Sequence, residues 1–451
     1  MVGCAAGTMR HGMGKVTKRP GWPSWLLPAV FLLPALAPAA PADEFSFEVA
    51  EFARKPYHIG GYAELRPVLF GLDTDAALHH LRFFDRDEGG TTAEYNGRLQ
   101  FEASLEKGIG RLFARVNTDY SNSYLGESVE AVFYDGYLSL KPSPSLVLEA
   151  GKKNLRWGTG YAWNPVAFVD RPKDPDDPEL NREGFIVATA EMIRSLAGPL
   201  QTFSLAPLVL PVDGDVNDDF GESDHLNFGG RLYVLFRDTD IDLLFLTGGS
   251  RGSRYGMDFA RNLTSNFEVH GEFALLHDVR KRVIDSAGDI AEQEEDAGSW
   301  LLGLRYLTAA ETTWIAEYYH NGAGFSREEM ENYFTLANRG YEVFQATGDD
   351  GLLRRMRDLA EGYGRMNPMR DYLYLRASQK EPFDILYVTP AATAIVNLAD
   401  GSFSLSPEIL YTPVTNLELR LKGSWLNGGS LSEYGEKQND WRLELRLRYY
   451  L

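Results

Sequence analysis

The sequence predicts an all-β protein, a transmembrane antiparallel β-barrel of about eighteen strands. Segments of about ten residues alternate apolar and polar side chains along the chain. Tight turns and long polar loops alternate between these segments. Beyond residue 42, no apolar run reaches the roughly 18 residues that a membrane-spanning helix needs. A closed barrel is the other structure that spans lipid, since it leaves no backbone edge unpaired.

The first 42 residues have the composition of a secretory signal peptide. Four basic residues precede the apolar run "WLLPAVFLLPALAPAA", and "APA" at 40–42 is a small-residue cleavage site. The run is short and contains three prolines, which disfavours the alternative of a membrane anchor. We therefore expect a signal peptide at 1–42, a periplasmic N-terminal segment at 43–56 and one barrel at 57–451.

Charge and cysteine content narrow the function classes. The chain has 45 Lys and Arg residues against 64 Asp and Glu residues, a net charge of −19, so nucleic acid is not an expected partner. Cys4, the one cysteine, lies in the predicted signal peptide, so the exported protein is expected to lack disulfides.

The strand pattern is clear in "GRLQFEASLEK" (97–107), where Leu99, Phe101 and Leu105 share one face. Tight turns are predicted at 107–110, 141–145, 196–200, 237–240, 262–266, 308–311, 380–384 and 412–416. The long connections are predicted at 71–93, 158–184, 211–224, 279–297, 322–369 and 428–440. Outer-membrane barrels show this asymmetry, with short periplasmic turns and long external loops. A soluble β-sandwich is the alternative.

These features resemble those of Gram-negative porins. The resemblance includes the C-terminal strand "WRLELRLRYYL" (441–451), although Tyr450 and Leu451 stand where porins usually end in Phe or Trp. The segment "GKKNLRWGTGYAWNP" (151–165) is similar to a stretch of alginate-export and porin-like barrel families. The resemblance implies a barrel in the cell outer membrane of a Gram-negative bacterium and names no substrate.

Basic side chains are expected on the inward face of the barrel. Charge on a lipid-facing position costs about 2–4 kcal/mol at mid-bilayer, so the polar face of each strand should face the lumen. Such a basic wall could attract anions. The alternative is that Glu64, Glu102, Glu418 and Glu444 neutralise it across strands. The predicted wall comprises Arg66, Arg98, Arg115, Arg231, Arg420, Lys422, Arg442, Arg446 and Arg448.

The loop at 158–184 is the third external loop by our strand count. The third loop of general porins folds inward and narrows the lumen, so this loop is a candidate constriction. Its carboxylates would then face the basic wall and create a transverse field. The alternative is a loop that only shields the rim. The constriction residues are predicted to be Asp170, Asp174, Asp176, Asp177 and Glu179.

Two further loops carry recognisable patterns. In "DGDVNDDFGESD" (213–224), alternate oxygen donors resemble a calcium loop, and the alternative is an acidic surface loop. The candidate Ca²⁺ ligands are Asp213, Asp215, Asn217, Asp219 and Asp224. Residues 322–369 predict two short amphipathic helices, the first starting at a Ser326 and Glu329 capping box. This helical insertion would be either a lid that restricts passage or an external cap.

The combined expectation is a porin-like channel for passive diffusion of small hydrophilic solutes, with anions and oligosaccharides as candidate classes. Outer-membrane lipid and lipopolysaccharide are the expected surroundings, and a homo-oligomer or a periplasmic partner remains open. One alternative is a barrel scaffold around a periplasmic partner such as an export or electron-transfer complex. The other is an outer-membrane enzyme, which is not favoured because the eight histidines form no Ser-His-Asp order or metal spacing. Apart from Ca²⁺, no cofactor is expected.

Overall fold

Residues 57–450 form a closed barrel of eighteen antiparallel strands. The computed structural model describes residues 55–451 except Asp87 and Asn181. The predicted signal peptide, and residues 43–54 of the segment that follows it, lie outside the described residues. Each strand pairs with the next along the chain, and β18 pairs with β1 to close the sheet. The predicted fold class and strand number are confirmed.

The strands are β1 (Tyr57–Leu72), β2 (Thr91–Lys107), β3 (Gly110–Ser123), β4 (Gly126–Ser143), β5 (Leu146–Lys153), β6 (Phe185–Ser195), β7 (Leu200–Val212), β8 (His225–Phe236), β9 (Thr239–Thr247), β10 (Arg254–Thr264), β11 (Phe267–Ile284), β12 (Ile290–Leu307), β13 (Thr312–His320), β14 (Asp371–Gln379), β15 (Val388–Asn397), β16 (Phe403–Val414), β17 (Leu417–Asn427) and β18 (Asn439–Tyr450). The helices are α1 (Ala77–Phe83), α2 (Arg327–Thr347), α3 (Gly351–Arg357) and α4 (Ala360–Tyr363), with a 3₁₀ turn at Pro382–Asp384.

The connections divide between the two ends of the barrel. All eight predicted tight turns join strands at one end, the turn end, where β1 begins and β18 finishes. The other end, the loop end, carries nine connections. Six of them are used below: loop 1 (73–90), loop 3 (154–184), loop 4 (213–224), loop 5 (248–253), loop 7 (321–370) and loop 9 (428–438).

The prediction of a long loop at 279–297 is wrong. β11 and β12 continue past the neighbouring strands as a two-stranded ribbon, and only 285–289 connect them. Val283 and Ile284 are buried against the helices of loop 7, which gives this polar stretch an apolar surface to pack on.

The burial pattern of the barrel is reversed relative to a soluble protein. On β18, Leu443, Leu445 and Leu447 are 45%, 47% and 39% exposed, whereas Glu444 and Arg446 between them are 6% and 4% exposed. Outward faces of other strands repeat this pattern with large exposed apolar side chains, and buried polar side chains alternate with them. An apolar exterior around a polar interior is the arrangement expected of a barrel surrounded by lipid.

A charge at the centre of the outward face should therefore prevent stable assembly. Replacement of Leu445 by Arg is expected to cost about 2–4 kcal/mol in a bilayer, since a guanidinium would replace a lipid-facing side chain. The Leu445→Ala variant removes the same apolar side chain without adding charge and serves as the control. Folding into lipid vesicles, followed by electrophoretic mobility before and after heating, measures the effect. Equal assembly of both variants would contradict a lipid-facing position.

The helices form a cap over the loop end. α2 is a single helix of 21 residues that begins at the predicted capping box, where Ser326 accepts from the Glu329 backbone and Glu329 accepts from the Ser326 backbone. The sequence predicts two short helices in this segment. Loop 7 instead holds one long helix, α2, and two short helices, α3 and α4. The predicted apolar faces are buried: Met330, Phe334, Ala337, Leu353, Met356 and Leu359. None of the helices in the described part of the chain is long and apolar enough to cross a membrane.

The cap is one apolar cluster with contributions from four loops. Tyr333 stacks on Tyr363 with ring centroids 4.3 Å apart, and Phe325 stacks on the same ring at 4.0 Å. The cluster also includes Leu81 of α1 and further side chains from loops 3 and 9, namely Trp163 and Tyr434. The sequence pattern predicts a polar loop at 71–93, whereas the structure has the helix α1 there. The cap is therefore packed against the loop that enters the barrel.

Candidate functional site

Loop 3 enters the barrel interior from β5 and is shaped first by Asp170. The two carboxylate oxygens of this buried side chain accept backbone N–H groups of Leu155, Arg156 and Trp157 at 2.9, 3.0 and 2.7 Å. Burial raises the pKa of Asp170, although the hydrogen bonds from these backbone groups oppose the shift. Asp170 was predicted to face the basic wall, but it instead holds the start of its own loop.

The next part of loop 3 is anchored on the wall formed by β11 and β13. Glu272 accepts the N–H groups of Thr159 and Gly160 at 2.7 Å each, and it also accepts from the Asn164 side chain at 2.8 Å. Its second oxygen accepts the Val166 N–H at 3.2 Å. Carboxylates that receive several such donors form charge-assisted hydrogen bonds, which are stronger than neutral ones. Glu272 therefore fixes residues 159–166 to β11.

Glu317 on β13 makes a second contact of the same kind. Its two oxygens accept the backbone N–H groups of Tyr161 at 2.5 Å and Ala162 at 2.8 Å. His270 on β11 lies 2.8 Å from the same carboxylate through Nε2. Gly158 has a φ of 91°, and a Cβ there would lie 2.7 Å from Glu272 Oε1, so the close approach to the wall requires glycine.

The middle of loop 3 packs against an apolar part of the interior. Val166, Phe168 and Val169 are buried in a cluster with inward side chains of β6, β7 and β9. That cluster includes Val187, Leu208, Leu210, Leu244 and Leu246. This side of the barrel interior is thus filled by the loop.

The acidic tip of loop 3 contacts the opposite part of the barrel, the strands next to closure. Asp176 pairs with Arg442 at 3.0 Å, and its backbone oxygen accepts from Lys422 Nζ at 2.6 Å. Asp177 pairs with Arg446 at 2.7 Å and with Arg420 at 3.1 Å. Loop 3 therefore crosses the interior and is attached at both ends of its path, to β11 and β13 and to β17 and β18.

The charge state of Asp177 follows from these contacts. Burial alone would raise the pKa of Asp177, but the charges and hydrogen bonds of Arg420 and Arg446 outweigh it and hold the pKa well below the ordinary value. A carboxyl with a depressed pKa stabilises the folded arrangement above its unfolded pKa of about 3.9 and loses that contribution as pH falls toward the folded value. The attachment is therefore fully present at neutral pH.

The nine predicted wall residues all lie at inward positions, and eight of them contact carboxylates. Arg98 pairs with Asp119, Arg231 with Asp242 and Arg448 with Glu64. Arg115 lies 3.2 Å from Glu102 and 2.8 Å from Asp135, and Arg420 also pairs with Glu408. Arg66 is the remaining one, with no carboxylate partner among the described residues and a buried Nε without a hydrogen-bond acceptor.

Apart from Asp170, the predicted constriction residues separate into three groups. Asp176 and Asp177 touch the basic wall directly, so no open gap separates these opposite charges. Asp174 accepts the Asp176 N–H at 2.9 Å and shapes the tip. Glu179 lines a small cavity of about 320 Å³ beside Arg156 and Arg182.

The candidate calcium ligands are spread along loop 4. Asn217 hydrogen-bonds to the backbone of Ile186 and Pro211, and Asp219 pairs with Arg171 of loop 3. Asp213 and Asp215 are exposed, and Asp224, the last residue of loop 4, has a positive φ of 65°. In the described residues, no group of three or more His, Cys, Asp or Glu side chains could hold a metal ion. Ca²⁺ binding stays a prediction without support from this geometry.

Fold and site together define a porin-like β-barrel, closed by eighteen strands and crossed by an inward loop. No protein-family model and no curated protein sequence matches the chain. Solved structures match its fold. A BenF-like porin from Pseudomonas fluorescens Pf-5 has a TM-score of 0.51 at 12% identity, with 88% of this chain and 98% of that chain covered. OccK5 (OpdH) from Pseudomonas aeruginosa has a TM-score of 0.50 at 13% identity, covering 87% and 98%. The predicted resemblance to porin-like barrels is confirmed at the level of fold.

Proposed function

We propose that this protein is an outer-membrane channel through which small hydrophilic solutes, anions among them, diffuse passively. The observation that carries the proposal is loop 3, which crosses a polar barrel interior and is attached to both of its walls. A fixed loop inside the lumen leaves narrow passages and not an open pore, and the lining of those passages sets selectivity.

Three cavities surround loop 3 and supply the candidate passages. One of about 540 Å³ lies on the side of loops 4, 5 and 7, and it shares Lys173 and Arg182 with the cavity of about 320 Å³ beside Glu179. A third, of about 190 Å³, lies beside Asp176 and Arg442. Basic side chains line all three, which supports passage of anions alongside neutral solutes.

The scaffold alternative requires an interior that can receive a partner. Loop 3 and the apolar side chains of β6, β7 and β9 occupy one side of the interior, and the cap covers the loop end. This filled interior favours a channel for small solutes over a sheath for a protein.

Liposome swelling tests the proposal. Vesicles that contain the purified, folded protein are expected to swell in arabinose faster than in the larger sugar raffinose, because the passages beside loop 3 admit only small solutes. Vesicles with heat-unfolded protein serve as the control. Absence of swelling with protein that shows the electrophoretic mobility of a folded barrel would contradict the channel.

A further inference from the structure

The largest cavity beside loop 3 has an unusual charge balance. It has a volume of about 540 Å³ and lies at the loop end between loops 3, 4, 5 and 7. Two acidic side chains line it, Asp170 and Asp219, together with six basic ones. We call it the basic chamber, after its basic side chains Arg171, Lys173, Arg182, Arg251, Arg254 and Arg365.

Neither acidic side chain forms an ion pair with five of the six cations, although the charge of Asp170 acts on Lys173 and Arg182 and that of Asp219 acts on Arg251. Asp170 is occupied by three backbone N–H groups of its own loop. Asp219 pairs with Arg171, which also lies 3.4 Å from Glu183. The other five basic side chains have no carboxylate within ion-pair distance among the residues that the structure describes.

The contacts of these five cations are to neutral groups. Lys173 donates to the Gly160 and Tyr161 carbonyls, Arg182 to the Arg171 carbonyl and Arg365 to the Ala323 carbonyl. Arg251 donates to the Phe220 carbonyl and lies 4.1 Å above the Phe220 ring. The Nε of Arg254 is buried and has no hydrogen-bond acceptor.

Four of these five cations are partly buried, whereas Arg365 is exposed. Burial of a cation without a counter-charge is unfavourable. Burial and the nearby charge of Arg254 lower the pKa of Arg251 to about 10, although Asp219 opposes the shift. Burial, followed by the charge of Arg182, also lowers the pKa of Lys173, although the charges of Glu272, Glu317 and Asp170 oppose the shift. Buried charges are normally paired, so a cluster of unpaired cations inside a cavity indicates that a counter-charge comes from outside the chain.

We propose that the basic chamber binds a small anion that carries at least two negative charges. A guanidinium group forms bidentate hydrogen bonds with the oxygens of a carboxylate or a phosphate. Several guanidinium groups line the basic chamber. A monovalent anion would leave most of the five cations unpaired. The volume lies within the usual range of small-molecule sites, about 300–1,000 Å³. Transport of the bound anion through the barrel rests on the proposed channel function. Binding of the anion in the basic chamber does not depend on that function.

Titration calorimetry of the purified protein in detergent, at constant ionic strength, tests the site with citrate, inorganic phosphate and acetate. Citrate or phosphate is expected to bind at least about tenfold more tightly than acetate. Citrate ahead of phosphate assigns the chamber to carboxylates, and the reverse order assigns it to phosphates. The Arg251→Gln/Arg254→Gln variant is expected to weaken the tighter anion about tenfold or more. Arg280→Gln, an exposed arginine paired with Glu222 and Glu294, is the matched control.

Thermal unfolding without anion separates binding from structure. Removal of unpaired buried cations should leave the melting temperature of Arg251→Gln/Arg254→Gln unchanged or higher, and Arg365→Gln repeats the binding test if that variant fails to fold. Equal affinity for citrate, phosphate and acetate, or affinities unchanged by these substitutions, would overturn the proposal. Anion binding is measured without a membrane, so it is independent of the channel test. If vesicles swell in arabinose but the protein binds no anion, the proposed anion site is rejected and the proposed channel is not.

Discussion

Replacement of both Glu272 and Glu317 by Gln is expected to release loop 3 from the barrel wall. The two carboxylates together accept six donors from residues 159–166. Hydrogen bonds to charged groups contribute about 1.5–3 kcal/mol each, and an amide both lacks the charge and directs an N–H₂ group at N–H donors. We expect loop 3 to become accessible to protease while the barrel strands stay protected, as limited proteolysis with mass spectrometry will measure.

The Glu292→Gln/Glu294→Gln variant provides the matched control. It makes the same change in charge on the exposed ribbon of β12, outside the interior. Cleavage within 154–184 is expected only when Glu272 and Glu317 are replaced. Equal resistance of loop 3 in both variants would show that these carboxylates do not hold it.

Replacement of Asp176 and Asp177 by Asn is expected to change ion selectivity more than any other loop substitution. Arg420, Arg442 and Arg446 would each lose a carboxylate partner. Removal of one partner of a buried pair costs about 3–5 kcal/mol, because the other charge is left uncompensated. The reversal potential in a KCl gradient should therefore shift toward anions.

Two comparisons make this result specific. Asp215→Asn/Asp218→Asn removes the same two charges from exposed positions of loop 4 and should leave the reversal potential unchanged. For the wild type, the depressed pKa of Asp177 predicts a constant selectivity from pH 7 down to about pH 4, with a shift toward anions only at lower pH. A shift of equal size in both variants would contradict a role for the loop 3 contacts.

Strand alternation predicted much of the architecture, because a period of two assigns each side chain of a strand to one face of the sheet or the other. Inward positions of Arg442, Arg446 and Arg448 follow from the outward leucines between them. In the structure all three form ion pairs with carboxylates. The third loop was also identified, since alternation of turns and loops fixes its number along the chain. Both conclusions depend only on local sequence.

The attachment of loop 3 could not be predicted in this way. Alternation places Glu272 and Glu317 on inward faces, but five of their six donors from loop 3 are backbone N–H groups more than a hundred residues away. Backbone donors cannot be recognised from the residue types in a sequence. The interior cations Arg251, in loop 5, and Arg254, at the start of β10, belong to no pattern in the sequence that would indicate a site. α1 had a readable signal, since Ala77, Leu81 and Phe84 recur at helical spacing.

Single-channel recording in planar bilayers tests most directly whether loop 3 controls a channel. The wild-type protein is expected to show discrete current steps, and the Glu272→Gln/Glu317→Gln variant is expected to show larger ones, because a released loop no longer narrows the lumen. Absence of steps from folded wild-type protein, or steps of the same size in both proteins, would contradict the account.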